Sequence, residues 1–210
     1  MILIAVALFG ALSYTVAQMI RTGDPNSIGN QQASIYADEV LAMARQFREA
    51  VQTVRISNGC VDEDISFENS VVAGYTNGTN TRCQIFNASG GGLSFIAPSA
   101  DVSSSNWTFS PNSILDIGSS EAELIVVLPL NLTAMKICAA LNDKLSVANV
   151  ADAPPVENFS FGTLFTGNYA GGTGAGAIIG NQSANFVGKP SGCAQDSTGA
   201  PHFYQTLIAR

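Results

Sequence analysis

The chain opens with a long apolar segment. Its first twenty residues, MILIAVALFGALSYTVAQMI, carry no charge, and the first charged residue is Arg21. Twenty residues of helix extend about 30 Å, close to the thickness of the hydrocarbon core of a bilayer. A helix that is apolar on all sides must be buried in lipid or in protein. We therefore expect residues 1–24 to form an apolar helix that lies in a membrane or in the core of a filament.

Three interpretations of this segment are open. A secretory signal peptide is the least favoured, because the segment has no basic n-region and no small-x-small cleavage site before the polar chain. A plain membrane anchor is the second. The third is a helix that first lies in the membrane and later packs among identical helices in a filament. We favour the third because of the pattern that follows.

A second helical pattern follows a short interruption. Gly23 can end a helix, and Pro25 disfavours helical geometry at the residue before it. Asn26 or Ser27 is the expected N-cap of the next helix. Apolar residues then recur every three or four positions to about Ile56, namely Ala33, Tyr36, Val40, Met43, Phe47, Val51 and Val54. This spacing predicts an amphipathic helix over residues 25–57 that packs on the rest of the protein.

Beyond Asn58 the pattern becomes typical of strands and turns. The predicted strands are Ile65 to Val72, Arg82 to Phe86, Leu93 to Ile96, Trp107 to Ser110, Glu123 to Leu128 and His202 to Ile208. We also expect a short helix from Leu132 to Leu145, a linker-like stretch from Asp152 to Pro155, and a hairpin or long loop over residues 160–188. The predicted fold class is α+β. A long N-terminal helix with a Gly/Pro break precedes a β-rich globular head over residues 58–210.

The composition narrows the range of partners. The chain has 16 acidic and 9 basic residues, a net charge of −7, and only 12% charged residues. An acidic, charge-poor surface does not neutralise phosphates, so we expect no direct binding of nucleic acid. Low surface charge instead favours a protein that packs against copies of itself.

Four cysteines, Cys60, Cys83, Cys138 and Cys193, occur without C-x-x-C spacing. Only one histidine accompanies them, which disfavours a metal cluster. In an exported domain they predict two disulfides, for which sequence order alone allows three connectivities. We expect Cys60–Cys83 and Cys138–Cys193. The alternative is four free thiols in a cytosolic protein.

No arrangement of residues predicts catalysis. His202, near the end of the chain, is expected to be packed or exposed rather than a general base.

The acidic residues Asp62, Glu63, Asp64 and Glu68 could bind Ca²⁺, but they match no EF-hand spacing and a solvated turn is favoured. The glycine cluster at 171–176 lacks the Lys-Ser/Thr of a phosphate loop, and Trp107 is expected in the core. We predict a non-enzymatic protein without a cofactor.

Six Asn-x-Ser/Thr sequons are candidate glycosylation sites: Asn77, Asn87, Asn106, Asn131, Asn158 and Asn181. Each is a weak signal, since a chain rich in Asn, Ser and Thr produces such triplets by chance.

These features together resemble a type IV pilin. The apolar helix, the break, the amphipathic continuation and the β-rich head with a late cysteine are the features of that architecture. The segment LTAMKIC at 132–138, followed by Leu141, is similar to the cysteine-bearing helix of the type IVb class, whose cysteine joins a late one. The resemblance therefore also points to the Cys138–Cys193 pair. The chain departs from the family at Ala5, where a glutamate usually pairs with the amino terminus of a neighbouring subunit.

The resemblance implies a structural role as the major pilin of an extracellular bacterial filament, used for attachment, motility or uptake. Its partners would be other copies of the chain, the inner-membrane pilus assembly machinery and, before assembly, the inner membrane. The residues that would drive assembly are Met1, Ile2, Leu3, Ile4, Ala5, Val6, Leu8, Phe9, Leu12, Tyr14, Val16 and Ile20. The alternatives are a minor pilin or secretion pseudopilin, and a membrane-anchored extracytoplasmic binding domain.

Overall fold

A computed structural model describes residues 29–119, 121–157, 163–169 and 178–210. Its helices are α1 (Asn30–Ile56) and α2 (Met135–Leu145). Its strands are β1 (Thr108–Ile114), β2 (Glu123–Pro129), β3 (Ile178–Ile179), β4 (Ser191–Gln195) and β5 (Pro201–Ile208). This part of the chain is α+β, as predicted. The twelve assembly residues between Met1 and Ile20, the helix break at Gly23 and Pro25, and Asn158 lie outside the described residues.

Helix α1 confirms the amphipathic pattern. Its buried residues repeat at helical spacing along one face: Ala33, Ala37, Val40, Ala44, Phe47, Ala50, Val51 and Val54. Tyr36 and Met43, at the margins of that face, are partly buried against the same core. The helix begins later than predicted, because Gly29 is its N-cap and has an extended backbone with φ −67° and ψ 156°.

The five strands form one sheet in the order β3-β1-β2-β5-β4. All pairs are antiparallel except β1 with β3, which is parallel. The central strand β2 is buried on both faces. Leu124, Val126 and Leu128 pack on the side of α1, while Ile125 and Val127 pack on the opposite side. Double burial explains the unbroken apolar run of this strand.

Aromatic side chains fill the space between α1 and the sheet. The Phe47 ring lies 5.3 Å from the ring of Trp107 and 5.2 Å from that of Phe109, each in an edge-to-face arrangement. On the far side of Phe109, the Phe67 ring stacks at 3.9 Å. Trp107 is therefore a core residue, as predicted.

Three predicted strands are wrong. Residues 65–72 and 93–96 are mostly irregular, and residues 82–86 contain the end of a 3-10 segment and a turn, with one bridge between Ser66 and Gln84. Ile65, Phe67 and Ile85 are buried, whereas Val71 and Ile96 are more than half exposed. Side chains also take backbone hydrogen bonds, since Asn69 Oδ1 accepts from the amides of Val71 and Val72 at 2.8 and 2.7 Å. Apolar alternation in these segments therefore did not indicate strand pairing.

Two further predictions need correction. Pro154 and Pro155 are buried in the head, so residues 152–155 are not a linker. In the described part of 160–188, β3 pairs with β1 in parallel rather than in a local hairpin. Strand β4, SGCAQ, was missed because its short polar sequence carries no apolar alternation. The other elements, β1, β2, α2 and β5, were predicted to within a few residues.

Shortening Phe47 tests the anchoring of α1. Phe47→Ala should lower the free energy of unfolding by about 3–5 kcal/mol, because a fully buried ring is lost from a packed aromatic cluster. Ile35, on the same helix, is 66% exposed, and Ile35→Ala should change stability by less than about 0.5 kcal/mol. Urea unfolding of the full chain in mild detergent measures both. Equal effects of the two substitutions would contradict this account of the core.

Candidate functional site

An open groove of about 880 Å³ lies between the first turns of α1, the helix α2 and the loop that follows α2. Its small lining side chains are Ala33, Ser34, Ala139, Ala140 and Ala151. Its larger polar side chains are Asn30, Lys136, Asp143, Lys144, Asn149 and Asp152. The groove is thus formed by two helices whose facing sides carry small residues.

Polar contacts fix the walls of the groove. Lys144 Nζ lies 2.9 Å from Asp38 Oδ1 and joins α2 to α1. Asn149 Nδ2 donates to the Ala139 carbonyl at 3.2 Å and to Asp143 Oδ1 at 2.9 Å. These bonds hold the loop against α2. Because the exposed Lys144–Asp38 pair is screened by water, it sets geometry more than it adds stability.

The chemistry of the groove suits contact with a polar surface. Two lysines and two aspartates line it, so its formal charge is balanced. Its lining, among the described residues, contains no histidine, cysteine or aromatic side chain. Small-molecule sites are usually apolar and aromatic, with a few convergent polar groups. This groove instead offers small side chains for close approach and a rim that can form hydrogen bonds.

The second helix is tied to the sheet by a disulfide and an amide clamp. Cys138 is bonded to Cys193 of β4, as predicted. One helical turn later, Asn142 Oδ1 accepts from the Cys193 amide and its Nδ2 donates to the Cys193 carbonyl, both at 2.8 Å. The side chain of Asn142 therefore pairs with β4 as a neighbouring strand would. This covers part of an edge that could otherwise pair with another chain.

The other predicted disulfide, Cys60–Cys83, also forms. It joins the chain just beyond α1 to a 3-10 turn. Asn58 Nδ2 donates to the Arg82 carbonyl beside it at 2.7 Å. Each helix is therefore covalently attached to the head near one end, and the described part of the chain has no free cysteine.

The acidic residues near position 63 do not converge. Asp62 Oδ1 lies 2.7 Å from Arg55 Nε, and Glu63 Oε1 lies 3.3 Å from the Arg210 guanidinium. Glu68 instead accepts from Gln84 Nε2 at 3.2 Å. No cluster that could hold a metal occurs in the described ranges. The structure therefore places these carboxylates in separate ion pairs and hydrogen bonds at the surface.

His202 is the second residue of β5, next to the turn that joins β4 to β5. Its Nε2 is 3.2 Å from Asp196 Oδ2. Asp196 Oδ1 also accepts from the amides of Thr198 and Ala200, at 2.8 and 2.9 Å. The carboxylate of Asp196 thus connects His202 of β5 to the turn that precedes this strand.

The described sequons fall into two groups. The side-chain amides of Asn77, Asn87 and Asn131 donate to other protein groups. Asn106 precedes β1 and is half-buried, while Asn181 lies exposed in the turn after β3.

Two buried carboxylates were not recognised in the sequence. Glu157 accepts from the amides of Gly180, Gln182 and Ser183 at 3.0 to 3.1 Å and so fixes the turn after β3. Glu123 begins β2 and accepts from the Ile114 amide at 2.9 Å, while its Oε1 has no partner. Neither shows a local signal, because both depend on contacts far apart in sequence. The sequence did contain a signal for Asn142, because this residue lies four positions after Cys138 and therefore on the same helix face.

Comparison with known protein families, with curated proteins and with solved structures finds no match for this chain. Within the described ranges, neither helix combines the length and the apolar character needed to cross a membrane.

Removing the amide clamp tests its contribution. Asn142→Leu keeps the approximate shape but leaves the buried amide and carbonyl of Cys193 without partners. We expect a loss of about 2–5 kcal/mol in the free energy of unfolding. Asn185→Leu is the matched control: the Asn185 amide donates to the Ala148 carbonyl at an exposed site, so a loss under about 1 kcal/mol is expected. Denaturant unfolding with both disulfides intact measures the difference, which should vanish if the clamp is unimportant.

Glu123 should make stability depend on pH. Burial raises the pKa of its carboxyl from 4.5 to about 7, against the opposing effect of the Ile114 hydrogen bond. The folded chain then keeps a proton that the unfolded chain releases, so stability falls as pH rises from about 4.5 to about 7. Glu123→Gln should flatten this decrease, whereas Glu49→Gln, on the exposed face of α1, should retain it. Unfolding measured at pH 4.5 and at pH 7.5 gives the slope, and identical slopes in Glu123→Gln and the unmodified chain would refute the assignment.

Asp196 should also make stability depend on pH, but at lower pH than Glu123. Here stability should fall as the pH falls. Burial tends to raise the pKa of its carboxyl, but hydrogen bonds from the Thr198 hydroxyl, the Ala200 amide and His202 outweigh it and lower the pKa to about 2. Its stabilising contribution is present above the usual value of 3.8 and is lost as pH falls toward 2. Asp196→Asn removes this carboxylate, so the stability of the variant should fall less between pH 4 and pH 2 than that of the unmodified chain. Unfolding measured at pH 2 and pH 4 gives the comparison.

Proposed function

We propose that the chain is the major structural subunit of an extracellular, type IV-like helical filament of a bacterium. The observation that carries the proposal is the uncharged apolar stretch of residues 1–20, which leads within ten residues into α1. Such a segment is costly to expose to water and must be buried. We place it in the inner membrane before assembly and among the same segments of neighbouring subunits afterwards.

The described head supports this proposal in three ways. Helix α1 packs one face on the sheet and leaves a polar face exposed, as a filament subunit with lateral neighbours requires. Two disulfides stabilise the head in an oxidising environment. Side chains and the bridge between Val156 and Gln195 cover part of the free edge of β4. This limits pairing of β4 with a strand of another chain.

The assembly mechanism follows from the same physics. The segment around Leu12 leaves lipid for a bundle of identical segments, so its apolar surface is never exposed to water. Copies related by a rotation that does not close produce an open filament. Since Ala5 has no carboxylate, we propose that register is set by packing and by contacts between heads rather than by an ion pair at this position. The inner-membrane assembly machinery would extract the subunit.

Two other functions are compatible with the same features. A minor pilin or secretion pseudopilin would share every feature above and would differ in copy number. A membrane-anchored extracytoplasmic binding domain is favoured by the groove between α1 and α2, which could receive a polar ligand or protein. A membrane-anchored binding domain does not require polymerisation.

Electron microscopy of material sheared from cells that express the full chain tests the proposal. We expect filaments that mass spectrometry shows to consist mainly of this chain. Leu12→Asp places a charge in the apolar segment and should abolish filaments while the folded head is retained. The matched control is Ile35→Asp, at a position that is 66% exposed on α1, which should still assemble.

Membrane fractionation accompanies the microscopy. If the unmodified chain stays in the membrane and forms no filaments, the anchored binding domain becomes the better explanation. If filaments contain this chain as a small fraction, the minor pilin is indicated. Filaments formed equally well by the Leu12→Asp chain would overturn the role of the apolar segment.

A further inference from the structure

We propose that Asn181 is an N-glycosylation acceptor of this chain. The proposal rests on the export that the filament function requires, and it goes further by naming one modified residue among six candidate sequons. It follows from the way the structure uses the side chain of each described sequon asparagine.

Three sequon asparagines are used inside the fold. Asn77 Nδ2 donates to the Ile65 carbonyl at 2.7 Å, and Asn131 Nδ2 donates to the Ala100 carbonyl at 2.8 Å. Asn87 Nδ2 donates to Gln84 Oε1 at 3.1 Å. A sugar on any of these nitrogens would have to occupy space next to the acceptor. Modification of the folded chain at these three positions is therefore disfavoured.

Asn106 is excluded by its surroundings. It is half-buried and is followed by Trp107, which is only 2% exposed. The third residue of the sequon, Thr108, is the first residue of β1 and pairs with Val127. A transferase must hold the asparagine and the hydroxyl together in an accessible loop. Residues paired in an inner strand of the sheet do not provide that geometry.

Asn181 meets each requirement. It is exposed, and its side-chain amide is not used by the described protein. The sequon Asn181-Gln182-Ser183 lies in a turn that follows β3 directly, where Gly180 has φ +95°. The buried Glu157 carboxylate accepts from the amides of Gln182 and Ser183, so it fixes the backbone without using either the Asn181 amide or the Ser183 hydroxyl.

The position is also compatible with assembly. Ile179, two residues earlier, packs in the cluster on the sheet face opposite α1. Asn181 is not among the residues that line the groove between α1 and α2.

The reaction is a glycosyl transfer from a sugar linked to a lipid by a diphosphate. A bond forms between Asn181 Nδ2 and the anomeric carbon of the sugar. The bond between that carbon and the diphosphate oxygen breaks, the lipid diphosphate leaves, and the amide nitrogen loses one proton. The Ser183 hydroxyl belongs to the recognition triplet.

The full chain is exported in a host without N-glycosylation, purified with both disulfides formed, and kept folded in mild detergent. Incubating it with an oligosaccharyltransferase and a lipid-diphosphate-linked sugar tests the proposal separately from filament formation. Among the five described sequons, glycopeptide mass spectrometry should find most of the sugar at Asn181. Asn181→Gln should lose at least tenfold in glycan summed over these five sites, whereas Asn106→Gln should keep it.

Substitutions at Ser183 separate recognition from folding. Ser183→Ala keeps the backbone amide that binds Glu157 and should lose the sugar, while Ser183→Thr should keep it. An exported, disulfide-bonded chain whose Asn181 peptide is unmodified would overturn the proposal. Equal occupancy of Asn77, Asn131 and Asn181 would overturn the selection argument. Failure to form filaments in the native host would bear on the proposed function and leave this result unaffected.

Discussion

The packing of α1 against the sheet is the constraint on which the rest of the head depends. Phe47 enters an aromatic cluster with Trp107 and Phe109, and Phe67 stacks on the far side of Phe109. These rings join the helix, the turns that follow it and the sheet into one apolar core. The position of α1 on the sheet therefore depends on this aromatic cluster.

The remaining elements are held by a few polar and covalent connections. Cys138 and Asn142 both bind Cys193, and so α2 is attached to the edge of the sheet twice on one helix face. Glu157 fixes the turn after β3 through three backbone amides. Such buried polar groups are costly when left unpaired, and their complete pairing specifies one arrangement of loops with little regular structure. This suits a domain in which much of the chain between α1 and β1 is irregular.

The charged side chains of the described head are engaged in separate contacts. Acidic residues near position 63 are paired with Arg55 and Arg210, and His202 of β5 contacts Asp196 in the turn before that strand. The groove between the helices has balanced charge and small side chains. In the proposed filament or anchored domain, this groove would be available for contact with another macromolecule.

The sequence by itself determined α1, α2, β2, β5 and the core position of Trp107, and it limited the pairing of the four cysteines to three connectivities. These features depend on local periodicity or on a small number of alternatives. Only the tertiary structure decided that residues 65–72, 82–86 and 93–96 are not strands, that the polar segment SGCAQ is strand β4, and that Asn142, Glu157 and Glu123 are buried. The physical reason is that apolar spacing reports burial, whereas strand pairing and the pairing of polar groups depend on partners distant in sequence.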